Sequence, residues 1–320
     1  MQTILEGRDV IIDAHSHLFP PSWKTADPVP ADLFILDRIF ERQAEAGIDL
    51  TVISDPHIWY GSRDLGEANS SREYNDFVAG LCRDYPRQIG GLGSVTPWRG
   101  SAHMAEASRA ITELGLSGLA ISTRDRGKYL DAVPEEFWQL VEELRAPVFI
   151  HPGTDVLGQD VMRDYRLGEL CGRPLDMTAT LSRFILTGGF ERHPDVQLLC
   201  AHAGGAITAI ADRLDFGHEL RRAQQFGPWG PVELSRPPST FVAQLYLDTV
   251  TFGARPLRLA LDTVGGKQLC FGTDGPPVPF PASRHRAVVA DLQLSAEMTA
   301  DIMGNNAADL FSIRLPAVPS

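Results

Sequence analysis

Short apolar runs alternate with amphipathic stretches along nearly the whole chain. The apolar runs predict eight strands, at residues 10–17, 48–55, 89–95, 116–122, 147–153, 196–204, 242–250 and 268–275. The stretches between them predict helices at residues 31–46, 71–85, 102–114, 134–144, 178–192, 206–225 and 254–264, with a C-terminal pair at 283–292 and 296–311. Several strands are apolar at consecutive positions, as at residues 148–150, which is typical of parallel strands buried on both faces.

Eight strands, each followed by a helix, predict an α/β fold. Over 320 residues this pattern indicates a (β/α)8 TIM barrel with extra C-terminal helices, formed as a single domain over residues 1–320. The alternative is a doubly wound open sheet. It is disfavoured because no Gly-x-Gly-x-x-Gly turn follows the first strand.

Composition and charge narrow the classes of partner. The chain is 43% hydrophobic and 22% charged, with a net charge of −12 and no run of Lys or Arg, so neither a nucleic acid nor a membrane is an expected partner. No apolar stretch approaches the ~20 residues that cross a bilayer, and the N-terminus lacks a signal-peptide pattern. The four cysteines are scattered, which indicates a cytoplasmic protein rather than a disulfide framework.

Side chains of the kinds that bind metal ions lie at the ends of four predicted strands. His15 and His17 are spaced i, i+2, so on a strand both project from the same face. His151, His202 and Asp274 end three other strands. Each taken singly is an ordinary structural residue, but a barrel brings the strand ends together around one axis. Three or four such ligands with an open position make a catalytic divalent site.

Three long segments follow strands, at residues 18–30, 57–69 and 154–177. In a barrel they lie on the face where active sites are built. We expect them to form lids or substrate walls. His57, directly after the second strand, is a candidate to line the pocket.

At these strand ends the chain resembles the amidohydrolase superfamily, in the branch typified by aminocarboxymuconate-semialdehyde decarboxylase. The resemblance extends nearly end to end. Its motifs are Asp13-Ala-His-Ser-His17, Tyr85-Pro-Arg-Gln-Ile-Gly-Gly-Leu-Gly93, His151-Pro-Gly153, Thr187-Gly-Gly-Phe-Glu-Arg-His-Pro-Asp-Val196, Ala201-His-Ala-Gly-Gly205, Leu247-Asp-Thr249, Phe271-Gly-Thr-Asp274 and Gly304-Asn-Asn-Ala307.

The resemblance implies one divalent ion, usually zinc, with manganese as the alternative and no organic cofactor. Its implied ligands are His15, His17, His151 and Asp274. His202 then acts as the acid or base beside the ion. Binuclear members carry a carbamylated Lys at the end of the fourth strand, where this chain has residues 119–122, Leu-Ala-Ile-Ser.

The substrate implied by the resemblance is a small carboxylate, which requires cationic side chains. Arg213 matches a family arginine that reaches the neighbouring subunit's site, which implies a homodimer. The alternative is that Arg213 is an ordinary arginine on a helix surface. The family's other substrate arginine lies in a long insertion that is short here. Lys24 and Arg38 are the candidates in its place. The Trp residues of the family's lid after the fifth strand are also absent, and Arg166 and Glu169 lie in that region instead.

Three functions remain open from the sequence. The first is a metal-dependent decarboxylase of a small aromatic or unsaturated carboxylic acid, with His202 handling the proton. The second is a hydrolase or hydratase of a lactone, amide or enol acid on the same site, where His202 or Asp274 carries the proton. The third is a catalytically silent metal-binding protein, disfavoured because every expected ligand is present.

Overall fold

A ring of short parallel strands forms the centre of the molecule. The structure is a computed structural model and describes residues 9–24, 29–55 and 67–314. In this part of the chain the strands are β1 Ile12–His17, β2 Leu50–Ser54, β3 Ile89–Gly91, β4 Gly93–Ser94, β5 Leu119–Ser122, β6 Arg124–Asp125, β7 Lys128–Tyr129, β8 Val148–His151, β9 Leu198–Cys200, β10 Tyr246–Asp248 and β11 Leu269–Cys270.

The pairing of these strands closes a barrel. One sheet has the order β1-β2-β3 and another β4-β5-β8-β9-β10-β11, all parallel, while β6 and β7 form a separate antiparallel hairpin. Only Leu92 separates β3 from β4, so one chain segment links the two sheets. Backbone hydrogen bonds from Ala14 N to Phe271 O (2.8 Å) and from His17 N to Gly275 O (2.7 Å) join β1 to the segment after β11. The predicted (β/α)8 barrel is confirmed.

Helices surround the strands and follow them along the chain. They are α1 Leu36–Ala46, α2 Ala68–Asp84, α3 Ser101–Thr112, α4 Glu135–Leu144, α5 Arg173–Leu186, α6 Gly189–Arg192, α7 Ala211–Arg222, α8 Ser239–Val242, α9 Ala254–Val264, α10 Ala282–Ala290, α11 Ala296–Ala300 and α12 Asn306–Leu310. Strand side chains such as Phe149, Ile150 and Leu199 are completely buried, as expected for strands covered on both faces. In the described residues no helix is long and apolar enough to cross a membrane.

Several predicted elements differ from the structure in their bounds, and two of them are described here. The helix predicted at 178–192 is interrupted at Gly188, whose φ of +77° continues no right-handed helix, and α5 begins earlier, at Arg173. The strand predicted at 242–250 is wrong in its first part, because α8 includes Val242 and the strand spans only Tyr246–Asp248.

The C-terminal helices hold the strands that carry the site. Phe271 N donates to Ile302 O (2.8 Å), and the Asn306 side chain donates to Gly266 O and Leu269 O (2.7 Å each). A Cβ at Gly304 would lie 2.0 Å from the Val10 carbonyl oxygen. The motif at residues 304–307 therefore has a structural role: it lets the C-terminal helices approach the chain around β1 and β11 closely.

Candidate metal centre

Four strand ends bring the predicted ligands to one point. His15 and His17 lie in β1, His151 is the last residue of β8, and Asp274 follows β11. All four are buried, and one possible ligand atom from each lies within 4.8 Å of the others. The barrel thus brings together the set that the resemblance implied.

The distances within the cluster match ligands of a single ion. His15 Nε2 lies 3.0 Å from His17 Nε2, and Asp274 Oδ1 lies 3.1 Å from His17 Nε2 and 3.4 Å from His15 Nε2. Two ligands of one Zn²⁺, each about 2.1 Å from the ion, are themselves separated by about 3 to 3.4 Å.

In both His15 and His17, the second ring nitrogen faces a hydrogen-bond acceptor. His15 Nδ1 lies 2.5 Å from Asp248 Oδ2, and His17 Nδ1 lies 3.2 Å from the Ser54 carbonyl oxygen. Protons on the two Nδ1 atoms would satisfy these acceptors and leave both Nε2 lone pairs for a cation. Such orientation by outer partners is typical of metal-ligating histidines. The donor set therefore fits a divalent ion.

The electrostatics of the cluster favour positive charge. Burial lowers the pKa of His15, but the neighbouring Asp274 and Asp248 outweigh it and raise that pKa to about 10. Burial would raise the pKa of Asp274, yet the charges and hydrogen bonds of the histidines hold it well below its ordinary value. Burial also lowers the pKa of His17 and, more strongly, that of His151. The two carboxylates thus create a position where a cation is stabilised.

His202 lies beside the cluster but outside the tight ligand group. Its ring centroid is 5.5 Å from that of His15 and 5.6 Å from that of His151. Its Nε2 is buried and has no hydrogen-bond partner among the described residues. Burial lowers the pKa of His202 to about 4. This imidazole can exchange a proton with a molecule bound next to the cluster.

The turn that carries His202 has an unusual backbone. The predicted strand at 196–204 ends at Cys200, and φ is +54° at His202 and +51° at Ala203. Such values are unfavourable for non-glycine residues and occur often at functional sites. Asp248 holds the turn by accepting hydrogen bonds from His202 N (3.0 Å) and Ala203 N (2.8 Å).

Asp13 fixes the loop that carries Asp274. Its carboxylate accepts hydrogen bonds from Thr273 N (3.0 Å) and Thr273 Oγ1 (2.7 Å), and from His15 N (3.2 Å). Burial raises the pKa of Asp13 to about 6, against the opposing effect of the Thr273 hydrogen bond. Hydrogen bonds of Asp13 therefore connect β1, which carries His15 and His17, to the loop that carries Asp274.

The predicted substrate residues do not join the cluster in the described part of the chain. Arg213 is exposed on α7, Lys24 is exposed after Trp23, and Arg166 is 78% exposed and ion-paired with Glu169. None of these three cations forms an ion pair with a ligand candidate. His57 lies outside the described residues. Their roles in substrate binding stay predictions.

Two residues of this region had no role assigned from the sequence. Asp248 belongs to a recognised motif at residues 247–249, but its contacts with both His15 and the His202 turn depend on the folded barrel. Arg173 begins α5, which packs against the His202 turn. No local pattern distinguishes Arg173 from the other arginines of the chain.

Replacing Asp248 by Asn should weaken metal binding, because the amide removes the charge that holds the proton on His15 Nδ1. We expect affinity for Zn²⁺ to fall about 10- to 100-fold, measured by competition with a chelator. Glu106→Gln is the control, since Glu106 is also a buried carboxylate but binds Asn75 and Arg109 instead. Equal affinities in the two variants would contradict the role of Asp248.

Comparison with known proteins identifies the family of this chain. The amidohydrolase family model matches residues 12–313. The chain is 24% identical over 342 residues to a 2-amino-3-carboxymuconate-6-semialdehyde decarboxylase of Dictyostelium discoideum, covering 96% of this chain and 92% of that one. The crystal structure of a 5-carboxyvanillate decarboxylase from Sphingomonas paucimobilis superposes with a TM-score of 0.82 at 21% identity, covering 96% of this chain and 100% of that one. That of a dihydroxybenzoic acid decarboxylase from Polaromonas sp. JS666, with bound manganese and the inhibitor 2-nitroresorcinol, gives 0.78 at 21% identity, covering 95% and 97%. The chain belongs to the amidohydrolase family.

Proposed function

We propose that this protein is a metal-dependent, non-oxidative decarboxylase of a small aromatic or unsaturated carboxylic acid. The observation that carries the proposal is the buried, unpartnered Nε2 of His202 beside four candidate metal ligands, within the described residues. The activities named for the Dictyostelium relative and for the two structural neighbours support the same reaction class.

The site is proposed to bind a single divalent ion through His15, His17, His151 and Asp274. The end of β5 has no lysine that could bridge a second ion, since Leu119–Ser122 reads Leu-Ala-Ile-Ser. Three imidazoles and one carboxylate suit zinc, and manganese is the alternative. The manganese bound in the Polaromonas neighbour supports that alternative.

The chemical difficulty of decarboxylation is the negative charge left on carbon when CO2 departs. When bound, the ion supplies a Lewis acid that polarises a substrate oxygen. His202, which its lowered pKa keeps neutral near pH 7, takes a proton from water at Nε2 and passes it to the carbon that carries the carboxylate. The bond from that carbon to the carboxylate then breaks, its electron pair returns to the conjugated system, and CO2 leaves. The substrate carbon keeps the proton, His202 is neutral again, and the hydroxide left from the water combines with CO2 as bicarbonate.

Asp248 and the burial of the site give His202 its position for this step. The two backbone hydrogen bonds to Asp248 hold the turn in its left-handed conformation. Because His15 binds the same carboxylate, the ligand and the proton donor keep one relative arrangement. The proton is therefore presented next to the cluster without reorganisation of the backbone.

The decisive experiment measures CO2 release from a panel of hydroxybenzoates and muconate-type acids, with enzyme loaded with Zn²⁺ or Mn²⁺. His202→Asn should lower kcat at least about 100-fold with metal content unchanged, because Asn tolerates a positive φ but cannot relay the proton. His218→Asn is the control, since His218 is also buried with an unpartnered Nε2 in the described structure but lies on α7.

Two results would contradict the decarboxylase proposal. Release of no CO2 from any acid, with turnover of lactones or amides, would assign the same site to a hydrolase or hydratase. Absence of turnover on both panels by the metal-loaded enzyme would indicate a metal-binding protein without catalytic activity.

We further propose that the protein is a homodimer in which Arg213 contributes to the partner's site. Apolar side chains are exposed after β8, at Val161 (73%) and Tyr165 (87%), and on and after α7, at Phe216 (57%) and Phe226. A contiguous apolar patch is typical of an interaction surface, and the proposed dimer interface would bury these side chains together. Arg213 and Phe216 are spaced i, i+3, so they lie on the same face of α7.

Sedimentation velocity tests the dimer. The mass derived for the wild-type protein should be twice that of one chain. Phe216→Asp should give the mass of a monomer. It should also lower activity, because Arg213 then no longer reaches the partner's site. Leu186→Asp is the control. This exposed leucine lies at the C-terminal end of α5, whereas the start of α5 packs against the His202 turn. A fully active wild-type monomer would contradict both the dimer and the role of Arg213.

A further inference from the structure

We propose that Arg173 is a specificity-determining residue that binds an anionic group which the substrate retains through the reaction. The inference rests on the proposed decarboxylase function and adds a binding site to it. The ligand class is a carboxylic acid with a second acidic substituent.

The start of α5 is packed tightly against the turn that carries His202. A Cβ at Gly205 would lie 2.2 Å from the Pro174 carbonyl oxygen, so only glycine permits this approach. Thr178 Oγ1 donates to Pro174 O (2.7 Å) and accepts from Ala206 N (2.8 Å), which links the two segments. Arg173, directly before Pro174, therefore begins its side chain next to the His202 turn.

Arg173 is a half-buried cation without a counter-ion. Within the described residues its guanidinium has neither a hydrogen bond nor an ion pair, whereas the neighbouring arginines are paired: Arg124 with Asp155, Arg166 with Glu169 and Arg183 with Asp131. A half-buried guanidinium of this kind is suited to bind an external anion.

The nearest carboxylate on the same helix is already engaged. Asp176 accepts hydrogen bonds from Thr123 and Tyr129, and from Leu157 N, and it is 3.3 Å from Arg124 Nε. These contacts use both oxygens of the Asp176 side chain. Its charge is therefore committed to Arg124 rather than to Arg173.

The position of Arg173 places its charge at the edge of the catalytic region, because the start of α5 packs directly against the His202 turn. A divalent ion with Asp274 and Asp248 sums to zero charge, and the protein as a whole carries −12. A dianionic substrate therefore requires a local cation, and Arg173 supplies one.

The retained group is a better partner for Arg173 than the reacting carboxylate. The reacting carboxylate loses its charge as CO2 forms, so an ion pair to it would stabilise the ground state more than the transition state. A group that stays anionic is bound equally in both states, which lowers KM and leaves kcat unchanged.

The test compares benzoate and isophthalate binding to the full, metal-loaded protein by calorimetry. Arg173→Gln should weaken isophthalate at least about tenfold and benzoate less than about twofold, and Arg173→Lys should recover part of the loss. With an accepted diacid, Arg173→Gln should raise KM about tenfold and change kcat less than about threefold. Arg183→Gln is the control, because Arg183 lies on the same helix but is paired with Asp131.

The outcomes separate this inference from the proposed reaction. If the Arg173→Gln variant binds benzoate and isophthalate with the same affinities as the Arg183→Gln control, the inference is overturned, even when the enzyme releases CO2. Equal weakening of benzoate and isophthalate would also overturn it, since Arg173 would then bind the reacting carboxylate. If no acid yields CO2 but the tenfold loss for isophthalate remains, the anion site stands and the decarboxylase proposal fails.

Discussion

The geometry of the site depends on one buried carboxylate, that of Asp248. One of its oxygens lies 2.5 Å from His15 Nδ1 and 3.0 Å from the backbone nitrogen of His202, and the other accepts from Ala203 N and Val250 N. A completely buried carboxylate is costly unless such donors surround it. Because its four donors belong to three segments, the strand end of β1 and the turn after β9 are held in a fixed relation.

This carboxylate also shapes the charge balance of the site. Together with Asp274 it brings two negative charges into a region otherwise lined by imidazoles. A divalent ion balances those charges, so binding of the ion and stability of the cluster are coupled. The same balance leaves no surplus attraction for an anionic substrate, which is why an additional cation such as Arg173 has a function to fulfil.

The sequence contains enough information to predict the barrel and the convergence of its strand ends. Apolar strands alternating with helices specify the topology, and the barrel then brings His15, His151 and Asp274 together from distant positions. Element boundaries were less predictable where single backbone conformations decide them, as at Gly188. The left-handed turn at His202 likewise depends on hydrogen bonds to Asp248, which no local pattern contains.

The roles of Asp248 and Arg173 depend on neighbours that only the folded chain provides. Asp248 meets His15 across 233 positions of sequence, and Arg173 meets the His202 turn through the packing of α5. Residue type and spacing indicated the candidate metal ligands because their chemistry is specific. A lone aspartate or arginine has many structural uses, so its function appears only when its partners, or the lack of a counter-ion, are known.

The most direct test of the account is anomalous scattering at the zinc and manganese edges from crystals of the metal-loaded protein. We expect one peak, within about 2.3 Å of Nε2 of His15 and His17, a ring nitrogen of His151 and a carboxylate oxygen of Asp274, with His202 Nε2 beyond bonding distance. Two peaks, or coordination of the ion by His202, would contradict the single-ion site and the proton-donor role of His202.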